Sequence, residues 1–144
     1  MKTELITKYL LGKAKNIFKP ACNNLRHPFI VPGEGYMNEL WGWDSYWVAH
    51  SLRYMFGRFG NLFMEKHGIE RSDALLHMKG SVLDFLDSQS ADGFIPSMLA
   101  EDGIFKDFFA GELKKGHKHN QHAPFLCQSA LGAAQFADDY SWLN

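Results

Sequence analysis

The sequence predicts an all-α chain. Four segments carry apolar residues at three- and four-residue spacings. No segment alternates apolar and polar residues over the length of a strand. The connections between alternate helices are long and punctuated by proline and glycine.

Residues 5–18 read as the first helix. Leu5, Ile6, Tyr9, Leu10 and Ala14 form its apolar stripe, and Lys8, Lys13 and Lys15 sit elsewhere on the wheel. Pro20 ends it, because proline lacks the amide proton that a helix interior needs. Residues 21–42 hold Pro28, Pro32, Gly33, Gly35 and Gly42, which predicts a long loop rather than a strand pair. Long loops in compact domains often carry function. A second helix is expected from Asp44, as N-cap, to about Phe59, with Trp47, Ser51, Tyr54 and Met55 on one side. Gly57 and Gly60 weaken its end, and Gly68 closes the following segment. A third helix is expected from Ser72, its cap, to Ser88, with Leu75, Leu76, Met78, Val82, Leu83, Phe85 and Leu86 supplying the period. Residues 91–96 are a turn around Asp92-Gly93 and Pro96. Residues 99–122 read as irregular or weakly helical. A fourth helix is expected from Pro124, which suits a first turn, to Tyr140. The helices are apolar nearly all round: Leu126, Leu131, Ala133, Ala134, Phe136 and Ala137 cover much of the fourth. Such helices expect neighbours on more than one side, so the chain reads as part of something larger.

The chain's 144 residues suffice for one domain with its own core. The formal net charge of -1 points to no nucleic-acid or anionic-membrane partner. Nothing approaches the roughly 20 apolar residues that span a bilayer, and the acid and lysines near the start do not form a signal peptide. Cytoplasm is the default location. Cys22 and Cys127 fit no paired motif and are expected as reduced, buried thiols.

Aromatic residues make up 15% of the chain. They crowd into Asn38-Glu39-Leu40-Trp41-Gly42-Trp43-Asp44-Ser45-Tyr46-Trp47, where indoles alternate with polar groups just after a Pro-Gly loop. Apolar faces with a few fixed polar groups are the composition of a ligand wall. A ring-shaped polyol, apolar on one face and hydroxylated at its rim, suits it.

Three motifs follow in order: Trp41-x-Trp43-Asp44-Ser45-Tyr46-Trp47, then Asp92-Gly93-Phe94-Ile95-Pro96, then Gln121-His122-Ala123-Pro124-Phe125-Leu126. Together they resemble the opening of the (α/α)6-barrel glycoside hydrolases: trehalases, glucosidase-I-like enzymes and, above all, bacterial mannosylglycerate hydrolases. The resemblance covers nearly the whole chain but only the front of the family's barrel. It implies a partial α/α toroid, the first helices of an (α/α)6 barrel, with residues 1–144 as the N-terminal portion of a catalytic domain truncated on its C-terminal side. It also implies sugar-binding roles. Trp43 and Asp44 match the pair lining the subsite for the non-reducing sugar, Trp41 an aromatic residue beside that sugar, and Tyr36 (with Met37) the neighbouring loop. Gln121 matches a glutamine that reaches the substrate. The arginine that trehalases carry shortly after Pro-Gly-Gly has no counterpart near Gly35 or Tyr36, which disfavours trehalose. The trehalase Ile-Pro-Asn is Ile95-Pro96-Ser97 here, and Gln-Pro-Pro becomes Gln121-His122-Ala123-Pro124.

The family inverts, using an acid and a base roughly 6.5–9.5 Å apart so that water fits beside the sugar. Neither carboxylate has a counterpart in these residues. Asp138 and Asp139 are adjacent and diverge on a helix, and of Glu39 and Asp44 only Asp44 has a family role. The implied function is therefore a fragment of an inverting hydrolase of small α-glucosyl or α-mannosyl compounds. It binds sugar, needs no metal or other cofactor and is inactive alone. Its expected partners are a small carbohydrate and the missing barrel segment or a second copy. The alternatives are a non-catalytic sugar-binding module or a helical interaction protein.

Plainer roles compete at each position. Asp44 as a cap needs no ligand. Trp43 and Trp47, four residues apart, form a core stripe on composition alone; the resemblance moves Trp43 to the subsite and leaves Trp47 in the core. His117, His119 and His122 have a metal-like spacing, but Lys114, Lys115 and Lys118 oppose a cation, so a solvated basic loop is expected. Glu101, Asp102 and Asp107 fail the spacing of a calcium loop and read as a solvated acidic turn. Asp92-Gly93 needs only a positive φ at glycine.

Overall fold

A computed structural model describes residues 2–103, 105–117 and 121–143. Helix accounts for 58% of the chain, in keeping with the helical class expected. The elements run α1 (Lys2–Ala14), a 3-10 turn (Lys15–Ile17), β1 (Phe18–Lys19), β2 (Phe29–Ile30), β3 (Glu39–Trp41), α2 (Gly42–His67), α3 (Arg71–Asp87), β4 (Met98–Ala100), α4 (Lys106–Lys114), α5 (Leu126–Ala137) and a 3-10 turn (Ser141–Leu143).

The expectation of no strands fails. β1 pairs antiparallel with β2, and β3 with β4 in the register Glu39↔Ala100, Leu40↔Leu99 and Trp41↔Met98. Strands of two or three residues are too short to print an alternating pattern, so nothing in the sequence marks them.

Helix ends also move. Asp44 does not cap α2. Trp41 is its N-cap, without a side-chain hydrogen bond, and Asp44 lies in the first turn. The helix continues past Phe59, where a φ of -134° kinks it, and stops at Gly68, whose φ of 62° lets its amide donate to Met64 O. The glycines around Phe59 bend this helix rather than end it. Glu70, not Ser72, caps α3, in a reciprocal box with Asp73. Pro124 sits in a turn ahead of α5, and Asp138, with a φ of 54°, ends that helix before Tyr140. The stretch read as weakly helical contains all of α4.

The main core lies where α2, α3 and α5 meet. Ala49, Leu52, Phe56 and Phe63 of α2 pack with Ala74 and Met78 of α3, Ala133 and Phe136 of α5, and Leu11 and Ala14 of α1. Phe56 and Phe63 stack at 4.5 Å. The buried stripe of α2 thus runs through Ala49 and Leu52. Trp47, expected in the core, is exposed, as is Tyr54 on its side of the wheel. The Ile6 and Leu10 side chains fall outside the described residues. β2 is clamped between two helices: Ser45 Oγ donates to Ile30 O (2.9 Å), and Ile30 N donates to Ser81 Oγ (3.0 Å). A second core of Leu25, Phe29, Val31, Leu40, Phe85 and Ile95 supports the long loop and the β3–β4 ribbon. Both cysteines are free, but Cys127 is exposed and Cys22 half-buried, against the expectation of two buried thiols. Among the described residues no helix is long and apolar enough to cross a membrane. Three mutually packed helices do not by themselves define the closed ring of a toroid.

Candidate functional site

The β3–β4 ribbon, the first turn of α2 and residues 121–125 converge. Gly42 N donates to Ser97 O (3.0 Å), and His122 N donates to Ile95 O (2.7 Å). Gln121 pairs with Pro96 in an isolated antiparallel bridge. A β-carbon on Gly42 would stand 2.2 Å from His122 Nε2, so the missing side chain is what lets α2 start against this segment. His122 is buried edge-on to Phe85 at 4.4 Å, and burial pushes its imidazole below the usual histidine range.

The three aromatic candidates, Tyr36, Trp41 and Trp43, divide into two ring clusters around this junction. Tyr36 stands edge-on to Trp41 at 6.3 Å. Trp41 also meets Phe105 at 5.3 Å and Phe109 at 5.6 Å, both nearly perpendicular to it. Trp43 meets Phe125 at 4.7 Å and Trp47 at 6.0 Å, and Tyr46 stacks on Phe125 at 4.8 Å. Such edge contacts hold rings at fixed angles. Trp43 remains 52% exposed and Tyr36 40%, so both keep face area for a ligand. Trp47, expected in the core, is 46% exposed. Gln121 is exposed beside Pro96.

Asp44 is half-buried in the first turn of α2, where the helix N-terminus favours negative charge. Among the described residues its carboxylate has no hydrogen-bond or ion-pair partner, so its oxygens are available to hydroxyl donors. Glu39, five residues earlier, differs sharply. It is 1% exposed, and both its oxygens are engaged, by Trp41 Nε1 (3.1 Å) and Phe105 N (3.0 Å).

Residues 5–55 match a family model described as Trehalase. No curated protein and no solved structure gives a significant match. The matched span is about a third of the chain. It runs from α1 through the long loop into α2 and includes Tyr36, Trp41, Trp43 and Asp44, with Gln121 outside it. It supports a glycoside-hydrolase relationship at a coarse level.

The other polar motifs serve the fold. His117 Nδ1 lies 2.8 Å from Glu112 Oε2 on the surface, whereas His122 is buried against Phe85; His119 and Lys118 lie outside the described residues. His117 and Lys115 together hold the Glu112 carboxyl down at about 2. Glu101 and Asp102 are not a solvated turn. Glu101 Oε1 accepts from Asn24 N (2.9 Å), and Asp102 accepts from Asn38 N and Nδ2 (both 2.8 Å). Gly93, with a φ of 86°, makes the turn expected of it. The sequence reading missed Phe105 and Phe109, which are distant along the chain, the packing of the motif residue Phe125 on Trp43, and the part played by Glu39. A lone acid beside Leu40 and Trp41 was the available sign.

Proposed function

We propose that this chain forms the sugar-binding wall of an inverting glycoside hydrolase for a small α-linked glucosyl or mannosyl compound such as mannosylglycerate. On this reading it is the front arc of an (α/α)6 toroid. The observation that carries the proposal is the coincidence of the Trehalase match with the aromatic junction: four of the five candidate residues lie inside residues 5–55 and gather at the start of α2. Trp41 and Trp43 offer apolar surface to a pyranose face. Asp44, whose oxygens have no partner among the described residues, accepts hydroxyl hydrogen bonds, which are stronger for its charge. Tyr36 and Gln121 flank the sugar. The general acid and base of inversion are assigned to none of these residues, so the chain by itself binds without turnover.

Titration calorimetry with glucose, mannose and mannosylglycerate tests this reading. Heat is expected with at least one sugar, abolished in Asp44→Ala and weakened about tenfold or more in Trp43→Ala. No heat with any of the three removes the proposal.

A second reading, a helical interaction protein, is favoured by the exposed Trp47, Tyr54, Met64, Leu76 and Leu131. It requires a defined oligomer or complex, which light scattering detects. The same exposed side chains would serve further helices of a toroid or a second copy of the chain.

A further inference from the structure

Glu39 lies on β3, deep in the molecule, and takes no part in the sugar-binding set. A carboxylate is costly to bury unless its oxygens are engaged. Here each oxygen accepts from a different part of the chain: Oε2 from the indole of Trp41 and Oε1 from the amide of Phe105. Phe105 precedes α4, and both Phe105 and Phe109 pack edgewise on the same indole. None of the described α4 residues is buried; Phe109 ties the helix to this cluster, and the helix also contacts β4. The loop after β4 is built around the same carboxylate. Gly103 has a φ of 103°, and a β-carbon there would stand 2.1 Å from Glu39 Oε1. Asn38 and Asn24 tie the start of the loop, through Asp102 and Glu101.

We propose that Glu39 is a positioning residue, which sets the orientation of the Trp41 indole and locks Gly103 and Phe105, with α4, to it. Resting on the sugar-wall reading, this makes the loop after β4 part of the substrate subsite: the face that Trp41 shows to a sugar depends on Glu39, which accepts from the Trp41 indole on one oxygen and from the Phe105 amide, 66 residues further along the chain, on the other. Glutamine cannot replace glutamate here, because its amide group sets an N–H against one of the two N–H donors.

The test is nuclear magnetic resonance on the full chain, with the Trp41 indole resonance identified by Trp41→Phe. In Glu39→Gln the indole proton is expected to move from its wild-type position. Exchange of the Trp41 indole or Phe105 amide proton is expected to quicken about tenfold, while the amides of α3 and α5 keep their protection. A folded Glu39→Gln chain with an unmoved indole signal and unchanged exchange at both sites overturns the proposal. The unmodified chain gives a second reading that does not depend on the variant's folding: both protons are expected to exchange at least tenfold slower than in an unstructured peptide, and free exchange at both overturns it. These signals are read without sugar. A chain that binds no sugar but shows the coupling refutes the sugar-wall reading and leaves the role of Glu39 in positioning Trp41 standing.

Discussion

The imidazole of His122 occupies the space a side chain on Gly42 would need, with its Nε2 2.2 Å from where a β-carbon would stand. The ring has little room to yield. Phe85 lies edge-on at 4.4 Å, and His122's own amide is bonded to Ile95 O. Gly42→Ala is therefore expected to destabilise the fold by about 1–3 kcal/mol, the usual cost of overfilling a packed site. In urea denaturation, adding His122→Ala should recover part of that loss. Strictly additive effects of the two substitutions would show that the rings and α2 do not share this space.

Glycine at position 80 faces a harder obstacle. A β-carbon there would stand 1.9 Å from the carbonyl oxygen of Pro28, which is backbone and cannot rotate away. Gly80→Ala is expected to cost more than Gly42→Ala, because α3 must separate from the segment leading into β2. Gly57, inside α2 with nothing within 4 Å, supplies the contrast. Gly57→Ala is expected to stabilise by up to about 1 kcal/mol through helix propensity alone. Thermal melts of the two variants should move in opposite directions.

Asp84 gives the fold a distinctive pH dependence. Burial pushes its carboxyl up to about 6, although the backbone amide of His27, 3.1 Å from Oδ1, pulls the other way. The folded chain therefore holds this proton more tightly than the unfolded chain does. Stability from this group is full below about pH 4, falls as pH rises to about 6, and stays low above. Asp84→Asn keeps an acceptor for His27 and removes the buried charge, so it is expected to stabilise by about 1–2 kcal/mol at pH 7 and by little at pH 4. His122 acts with the opposite sign, losing stability as pH falls below its ordinary value of about 6.5. The difference between wild type and Asp84→Asn cancels it. Urea midpoints across pH 4–7.5 measure that difference, and a gap that stays constant with pH would contradict the assignment.

The helices were legible because amphipathic period survives in single segments: the stripe of α3 from Met78 through Val82 to Phe85 is buried as spaced. What escaped the sequence depends on pairing across distance. β3 and β4 exist because Glu39–Trp41 meets Met98–Ala100, a match of three residues each that leaves no local pattern. Asp44 looked like a cap because its residue type caps well, but the ribbon starts the helix earlier, where Gly42 is bonded to Ser97. Trp47 looked like core because it lies four residues from Trp43, but both indoles are exposed and pack edge-on against each other. For the candidate site, the residues around Trp43-Asp44 were nameable from their motif. The ring neighbours at positions 105 and 109 were not, and Phe125 was named only as part of a motif, since only folding brings those rings to the wall.

The most direct measurement is an indole-resolved proton–nitrogen titration of the chain with mannosylglycerate. Trp142 packs against the main core with Lys79 over its ring, away from the aromatic junction, and serves as the internal reference. The Trp41 and Trp43 signals are expected to move together, saturating along one binding curve, while Trp142 stays fixed. Signals that stay still at every ligand concentration, or a Trp142 shift as large as that of Trp43, would contradict the sugar-wall reading.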